Sequence, residues 1–506
     1  MSTTAPHLGA ADWVVIAAYL VGVIGFGLWA GRRARGTRDY FLGGRNLPWW
    51  AVGCSIIATE TSALTFIGVP ALAYGPDHLT FIQIIFGYVL ARIILAAMLV
   101  PQYFRGEIYS PYQLFERAFG PAARRTAGGF FLLAGVLAAG VRVYVSCIPL
   151  QLILGFSEAD LGWAIVLFVA LALTYTLAGG VKSAVWVEAL QFLLFLAGGL
   201  FTLGFVPTLI EGGVAGVVRL AAEGGKWHWL NPQFSLAMPF NLWMGLVGAT
   251  VLVLYSHGAD QLIVQRVLTC GSVRDGRRAL LLSAAIILPL MLVFLLAGVM
   301  LWVYYQTHPL PLPLPEARPG VRKNDYIFPI FILTAVPPVF KGLLVVAILA
   351  AAMSSVSAAL SALASVFTMD FYHGLARRAR GEALSLRVSR GSMLLWAGLL
   401  VGVAVLARSA ESVLNAAFAL NGLTSGAMLG GLVLALAWRR GSPVPVITGM
   451  LVALATMIAL YLGWRAHVAW PWYTLIGALV TVAVAALVRR FLAPGPTGPV
   501  SPSGSA

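Results

Sequence analysis

Apolar stretches of about twenty residues recur from Trp13 to Val488, parted by short polar or basic segments. Each is long enough to cross the roughly 30 Å hydrocarbon core of a bilayer as an α-helix. In order they predict about thirteen spans, near 13–31, 48–74, 79–104, 122–154, 159–178, 183–210, 239–263, 278–306, 326–370, 391–408, 411–438, 443–463 and 470–488. Lipid offers the backbone no hydrogen bonds, so the fold class is an all-α polytopic membrane protein.

Two runs are interrupted at mid-depth. The second reads GCSIIATETSALTFIGVP, with Thr59, Glu60, Thr61 and Ser62 where apolar side chains would otherwise stand. The seventh reads VLVLYSHGADQLIVQR, with Ser256, His257, Gly258 and Asp260. A break in a spanning helix frees carbonyl and N–H groups that can hold an ion or a polar solute near the midplane. The two breaks are five spans apart, the spacing expected of two five-helix halves, 48–210 and 239–438, that repeat with inverted topology. The alternative is two ordinary kinks satisfied by neighbouring helices. In the ninth run, LAAAMSSVSAALSALASVFTMDFY, three hydroxyls fall close together at Ser354, Ser355 and Ser357. A hydroxyl facing lipid tails gains nothing, whereas one facing a polar cavity can replace water around a small cation.

Composition excludes a soluble enzyme. The chain of 506 residues is 60% hydrophobic and 10% charged, against about a quarter charged for soluble domains. Its net charge of +15 is a matter of topology. Lysine and arginine gather in alternate loops, at Arg32, Arg33, Arg35 and Arg38, at Arg105, Arg117, Arg124 and Arg125, at Lys182, at Arg266, Arg274, Arg277 and Arg278, at Arg377, Arg378, Arg380, Arg387 and Arg390, at Arg439 and Arg440, and at Arg489 and Arg490. The basic side is expected to be cytoplasmic, with the N-terminus outside and the C-terminus inside. The surplus therefore does not indicate nucleic acid. The first run lacks a basic N-terminal flank and is not expected to be a cleaved signal. Cys54, Cys147 and Cys270 suggest no disulfide framework. The outer loop HPLPLPLPEARPG is expected to be extended and the tail after residue 492 disordered. No Walker A, HExxH or GxSxG sequence occurs, so neither ATP-driven pumping nor common hydrolase chemistry is indicated.

Two arginines lie deep in apolar runs, Arg92 in FGYVLARIILAAMLV and Arg142 in LLAGVLAAGVRVYVSCIPL. A guanidinium there needs an anion. Either the solute supplies a carboxylate that matches the arginine fork, or a protein carboxylate such as Glu60 or Glu188 pairs with it for structure.

Four stretches carry a family resemblance: TFIGVPALAYG, GGVKSAVWVEALQ, DQLIVQRVLTCGSVRDGRRAL, and AAAMSSVSAAL followed by FTMDFY. Occurring in this order, they resemble the solute:sodium symporter family of sodium-coupled sugar, proline, pantothenate, sialic acid, iodide and monocarboxylate carriers, a resemblance that covers about residues 10 to 440. The resemblance implies a leucine-transporter-like fold, ten core helices in two inverted repeats. The divisions expected are 1–47 for a peripheral helix and basic loop, 48–210 and 239–438 for the repeats, 211–238 for an outer loop, 439–492 for two peripheral helices and 493–506 for the tail.

It also implies sodium as the coupling ion, held by the carbonyls of Ala58, Thr61 and Ala351 and the hydroxyls of Ser354 and Ser355. A second sodium site, found in some members, would draw on Glu188, where Asp is typical, and on Ser357, with Ala358 standing where another hydroxyl is typical. On the solute side, Thr65 and Arg92 replace the amide and acidic groups of the sugar carriers, and Ser256 falls at their aromatic inner gate. Arg142 matches the carboxylate-clasping arginine of the sialic acid carriers. Asn421, with Asn415 and Ser425, is a candidate for the cavity wall or for interhelical bonds. Glu60 and Tyr255 are expected at the gates. The function implied is sodium-coupled import of a small organic anion. The alternatives are a neutral sugar or amino acid, proton coupling, or, least favoured, a membrane enzyme or sensor. Beyond the solute and the bilayer, no obligate protein partner is indicated.

Overall fold

The apolar runs become helices whose lengths suit a bilayer. The computed structural model describes residues 8–31, 36–106, 108–154, 160–373, 382–407 and 413–492. The basic residues Arg32, Arg33, Arg35, Arg377, Arg378 and Arg380 and the tail lie outside them.

The helices that build the bundle are α1 (Ala10–Gly31), α2 (Trp49–Glu60), α3 (Ala63–Tyr74), α4 (Ile82–Met98), α5 (Tyr112–Phe119), α6 (Pro121–Leu154), α7 (Leu161–Phe205), α8 (Gly213–Glu223), α9 (Thr250–Gly258), α10 (Gln261–Val267), α11 (Val273–Thr307), α12 (Phe340–Val366), α13 (Glu382–Leu406), α14 (Val413–Trp438), α15 (Pro443–Gly463) and α16 (Tyr473–Phe491). Among the described residues, nine helices are long and apolar enough to cross a membrane. The pairs α2/α3 and α9/α10, bent by 55° and 61°, raise the number to eleven. The shorter apolar helices Ile82–Met98 and Leu161–Leu177 fill the two remaining expected positions. The fold is thus an all-helical polytopic bundle, and its two broken helices are the two read from polar interruptions.

Breaks and close approaches have local causes. Inside α7, Gly180 takes φ 59, a left-handed value that glycine adopts without strain, and splits the helix into two spans. At Gly87 an added Cβ would lie 2.2 Å from the Gly245 carbonyl, so α4 meets the turn before α9 backbone to backbone. The N-terminus of α12 is capped from a distance: Asp12 of α1 accepts hydrogen bonds from the N–H groups of Val339 (2.8 Å) and Gly342 (2.9 Å). These are donors the helix cannot satisfy itself.

Helix α12, which carries the serines, is the centre of the molecule. In its span 94% of the apolar window is buried, against 17% for α1 at the periphery. It packs along α7 and α6. Small residues make this burial feasible, since LAAAMSSVSAALSALAS lets neighbouring backbones approach closely.

One expectation is corrected. The Pro-rich loop ends in a two-stranded antiparallel ladder, Glu316–Arg318 with Val321–Arg322. Gly320, at φ 81, makes the turn that a continuously extended reading leaves out.

Candidate cation and solute site

Where α2 stops, carbonyls of its last turn lose the N–H donors that a continuing helix would supply, because Thr61 leaves helical geometry (φ −85, ψ 85). Helix α12 runs past this break. Ser354 Oγ lies 3.2 Å from the Ala58 carbonyl and 2.9 Å from that of Ala351, and Ser355 Oγ lies 3.2 Å from the Ala351 carbonyl. Both serines are buried. The Thr61 hydroxyl, also buried, has no hydrogen-bond partner among the described residues. Two helices therefore bring carbonyl and hydroxyl oxygens together without a formal charge. Such a set can replace the hydration shell of a small hard cation.

Glu188 has a different environment. Arg266 Nη2 donates to its Oε1 at 2.7 Å, and Nε lies 3.3 Å from Oε2. Ser55 also donates to Oε2, and Thr59 Oγ1 lies 3.4 Å from it. The carboxylate is already neutralised, so the second sodium site expected at Glu188 and Ser357 lacks a free negative charge. Ser357 itself is buried without a hydrogen-bond partner among the described residues. Arg266 is a correction too. Read as a loop residue, it is fully buried because α10 continues to Val267 and turns it toward α7.

Arg92 belongs with Glu60. Its guanidinium is fully buried, donates to the Glu60 carboxylate, and lies 3.2 Å from the Tyr88 carbonyl. His257 Nε2 sits 3.1 Å from Arg92 Nη2, while its Nδ1 is 2.9 Å from Ser256 Oγ. This chain fastens α2, α4 and α9 to one another. Arg92 does not line the cavity beside it; its pairing with Glu60 is the structural alternative read from the sequence.

That cavity lies between the two helix breaks. Its volume is about 80 Å³, room for a few waters. Glu60, Thr65, Ser256, Asn421, Asp260 and Arg142 line its polar side. Val69, Phe81, Leu252 and Met291 supply apolar wall. Asp260 Oδ1 accepts from the Leu262 N–H at 2.8 Å, capping α10. Arg142, projecting from α6, makes no side-chain hydrogen bond or ion pair among the described residues. The arrangement offers an unengaged guanidinium, hydroxyls and an amide to a solute, with carboxylates at its edge.

Thr65, Ser256, Asn421 and Arg142 are thus brought to one cavity. Tyr255 is fully buried and is not among the residues lining the cavity, but its hydroxyl stands beside Asp260, which is. Ser425 bonds Thr474 of α16 at 2.7 Å, the interhelical alternative. The Asn415 side chain lies outside the described residues. Asp260, His257 and Tyr88 were not singled out as cavity groups from sequence. For the first two the signal was present, since they sit in the polar interruption itself.

Residues 40–453 match the family described as the sodium:solute symporter family. The chain is 28% identical over 501 residues to the sodium/sialic acid symporter SiaT of Proteus mirabilis (strain HI4320), covering 96% of each. It is 27% identical over 516 residues to the sodium/glucose cotransporter of Vibrio parahaemolyticus, covering 96% of this chain and 92% of the relative. A solved sodium-coupled sialic acid symporter, in a substrate-bound outward-open state, shares the fold with a TM-score of 0.85 and 24% identity, over 96% of this chain and 99% of the other.

Proposed function

The chain belongs to the sodium:solute symporter family, and from that premise we propose that it imports a small organic anion, a carboxylate, together with sodium. Membership makes it a sodium-coupled membrane carrier and not an enzyme. The anionic solute is the finer reading, and one observation carries it. Arg142 is a cavity-facing guanidinium that makes no ion pair among the described residues, although Asp260 and Glu60 line the same cavity, whereas Arg92, Arg124 and Arg266 each pair with a carboxylate.

In this reading sodium is the co-transported ion. It is held by the carbonyls of Ala58, Thr61 and Ala351 and the hydroxyls of Ser354 and Ser355. Sodium joins α2 to α12 across the first break and so favours the state in which the cavity opens to solute. The solute carboxylate then meets Arg142, and its remaining polar groups meet Thr65, Ser256 and Asn421. Closure around both, followed by rocking of the broken helices with α4 and α11 against their surroundings, exposes the site to the other side. The repeats at 48–210 and 239–438 provide the two related halves for that movement. With the basic loops cytoplasmic, a negative-inside potential drives sodium inward, each charge contributing about 2.3 kcal/mol per 100 mV.

Asp260 favours a second reading. A carboxylate in the same cavity suits a solute that also carries an ammonium or several hydroxyls, so a zwitterion or sugar is the alternative. A thermal-shift screen of purified protein against small carboxylates, sugars and amino acids, in sodium and in potassium, separates them. Carboxylates without an amine should stabilise the protein in sodium alone. Stabilisation only by uncharged sugars or only by amino acids would remove the organic-anion reading.

A further inference from the structure

A second cavity, of about 570 Å³, opens on the surface and shares no lining residue with the first. It is a slot between the end of α4, helix α5 and the end of α14. Leu95, Met98, Leu114, Leu432, Val433 and Leu436 line its length. Met98 and Val433 are 70% and 47% exposed, as side chains facing lipid would be. One end is different. Arg105, Arg117 and Arg439 converge there with Gln102.

Among the described residues, no Asp or Glu lines this cavity. Arg117 Nη1 lies 2.8 Å from the Arg105 carbonyl, which holds one guanidinium at the opening. The side chains of Arg105 and Arg439 make no hydrogen bond or ion pair among the described residues. Three like charges gathered at one mouth repel each other unless an anion joins them. A free phosphate would answer the charge but leave the apolar slot without an occupant. A neutral lipid would fill the slot but leave the cations unanswered.

We infer that the slot is a binding site for an anionic phospholipid, with an acyl chain along α4 and α14 and the phosphate among the three arginines. A basic pocket between spanning helices is the kind of surface that selects anionic head groups. The inner wall includes Leu254 of α9, four residues before the break at Gly258. An occupant would therefore brace one of the two broken helices from the lipid side.

The test uses the full-length protein purified in a non-ionic detergent. Dioleoyl phosphatidylglycerol, dioleoyl phosphatidylcholine and glycerol 3-phosphate are titrated separately, with bound lipid counted by native mass spectrometry and stability followed by thermal shift. Phosphatidylglycerol should bind and stabilise at concentrations where the other two do neither. Each of Arg105→Ala, Arg117→Ala and Arg439→Ala should weaken it about fivefold. Val433→Trp keeps all three charges and blocks the slot from its lipid-exposed side, so it should weaken binding as well. Sodium-dependent stabilisation should persist in every variant, which shows that the fold is intact. Equal binding of phosphatidylcholine and phosphatidylglycerol would overturn the inference. So would wild-type phosphatidylglycerol affinity in Val433→Trp, or stabilisation by glycerol 3-phosphate alone.

Discussion

Arg92 and Arg142 carry the same group to similar depth and have opposite surroundings. Arg92, on α4, meets Glu60 and His257 from the two broken helices and is sealed from the cavity. Arg142, on α6, faces the cavity, shares it with Asp260 and Glu60, and makes no ion pair among the described residues. A buried charge must be matched by something, and the difference lies in what matches it. For Arg92 the protein does so permanently. For Arg142 the match is left to whatever enters. Arg266 falls on the Arg92 side of the comparison, through Glu188.

The largest expected effect comes from breaking the sealed pair. Arg92→Ala leaves Glu60 buried beside the cavity without its cation, and removing one partner of a buried pair costs about 3–5 kcal/mol. The purified variant should lose much of its thermal stability or fail to accumulate. Arg92→Ala combined with Glu60→Gln should be less damaged than Arg92→Ala alone, because no orphaned charge remains. A stable Arg92→Ala protein that had lost only solute binding would invert the comparison.

A smaller and more local effect is expected at the oxygen cluster. Ser354→Ala removes one oxygen between Ala58 and Ala351 and adds no bulk. The half-saturation for sodium in proteoliposome uptake should rise about tenfold, as for loss of one bond to a charged group. Selectivity among solutes at saturating sodium should stay as it was, since this site is distinct from Arg142. Unchanged sodium dependence would mean that the cation sits elsewhere.

The smallest effect sharpens the comparison with a fourth buried cation. Lys226, in the loop after α8, lies 2.8 and 2.7 Å from the Tyr74 and Gly75 carbonyls, capping α3. Its ammonium also lies over the Trp302 ring. Here carbonyls replace a carboxylate partner. Burial pushes the ammonium from 10.5 down to about 8, with Asp77 acting in the opposite direction. The unfolded chain then binds more protons between about 8 and 10.5, so this group makes stability rise with pH across that window. The neutral amine still donates to the carbonyls and no longer carries a desolvated charge. Thermal stability measured from pH 8 to 10 should show a slope that Lys226→Met flattens.

Much of this was legible in the chain. Apolar run length marked the spans, and TETS and SHGAD marked the two breaks, because polar residues at mid-depth have few other uses. The cluster of Ser354 and Ser355 could be read for the same reason. What the chain hid was pairing. Nothing in the order of residues says that Glu60 turns toward Arg92, since that depends on how α2 and α4 rotate against each other. Arg266 looked like one more basic loop residue, because the reach of α10 to Val267 is set by packing against α7 and not by local hydropathy. Asp260 was visible as part of a break, but its place in the cavity opposite Arg142 needed the bend between α9 and α10.

The central claim is that Arg142 receives the carboxylate of the solute. It is tested most directly with Arg142→Lys, which keeps the charge and loses the bidentate fork. In proteoliposomes with an inward sodium gradient, uptake of whichever carboxylate stabilises the wild type should fall about tenfold or more. Stabilisation of the same variant by sodium alone should match wild type. Wild-type carboxylate uptake in the lysine variant, or equal loss of sodium and solute binding, would contradict the account.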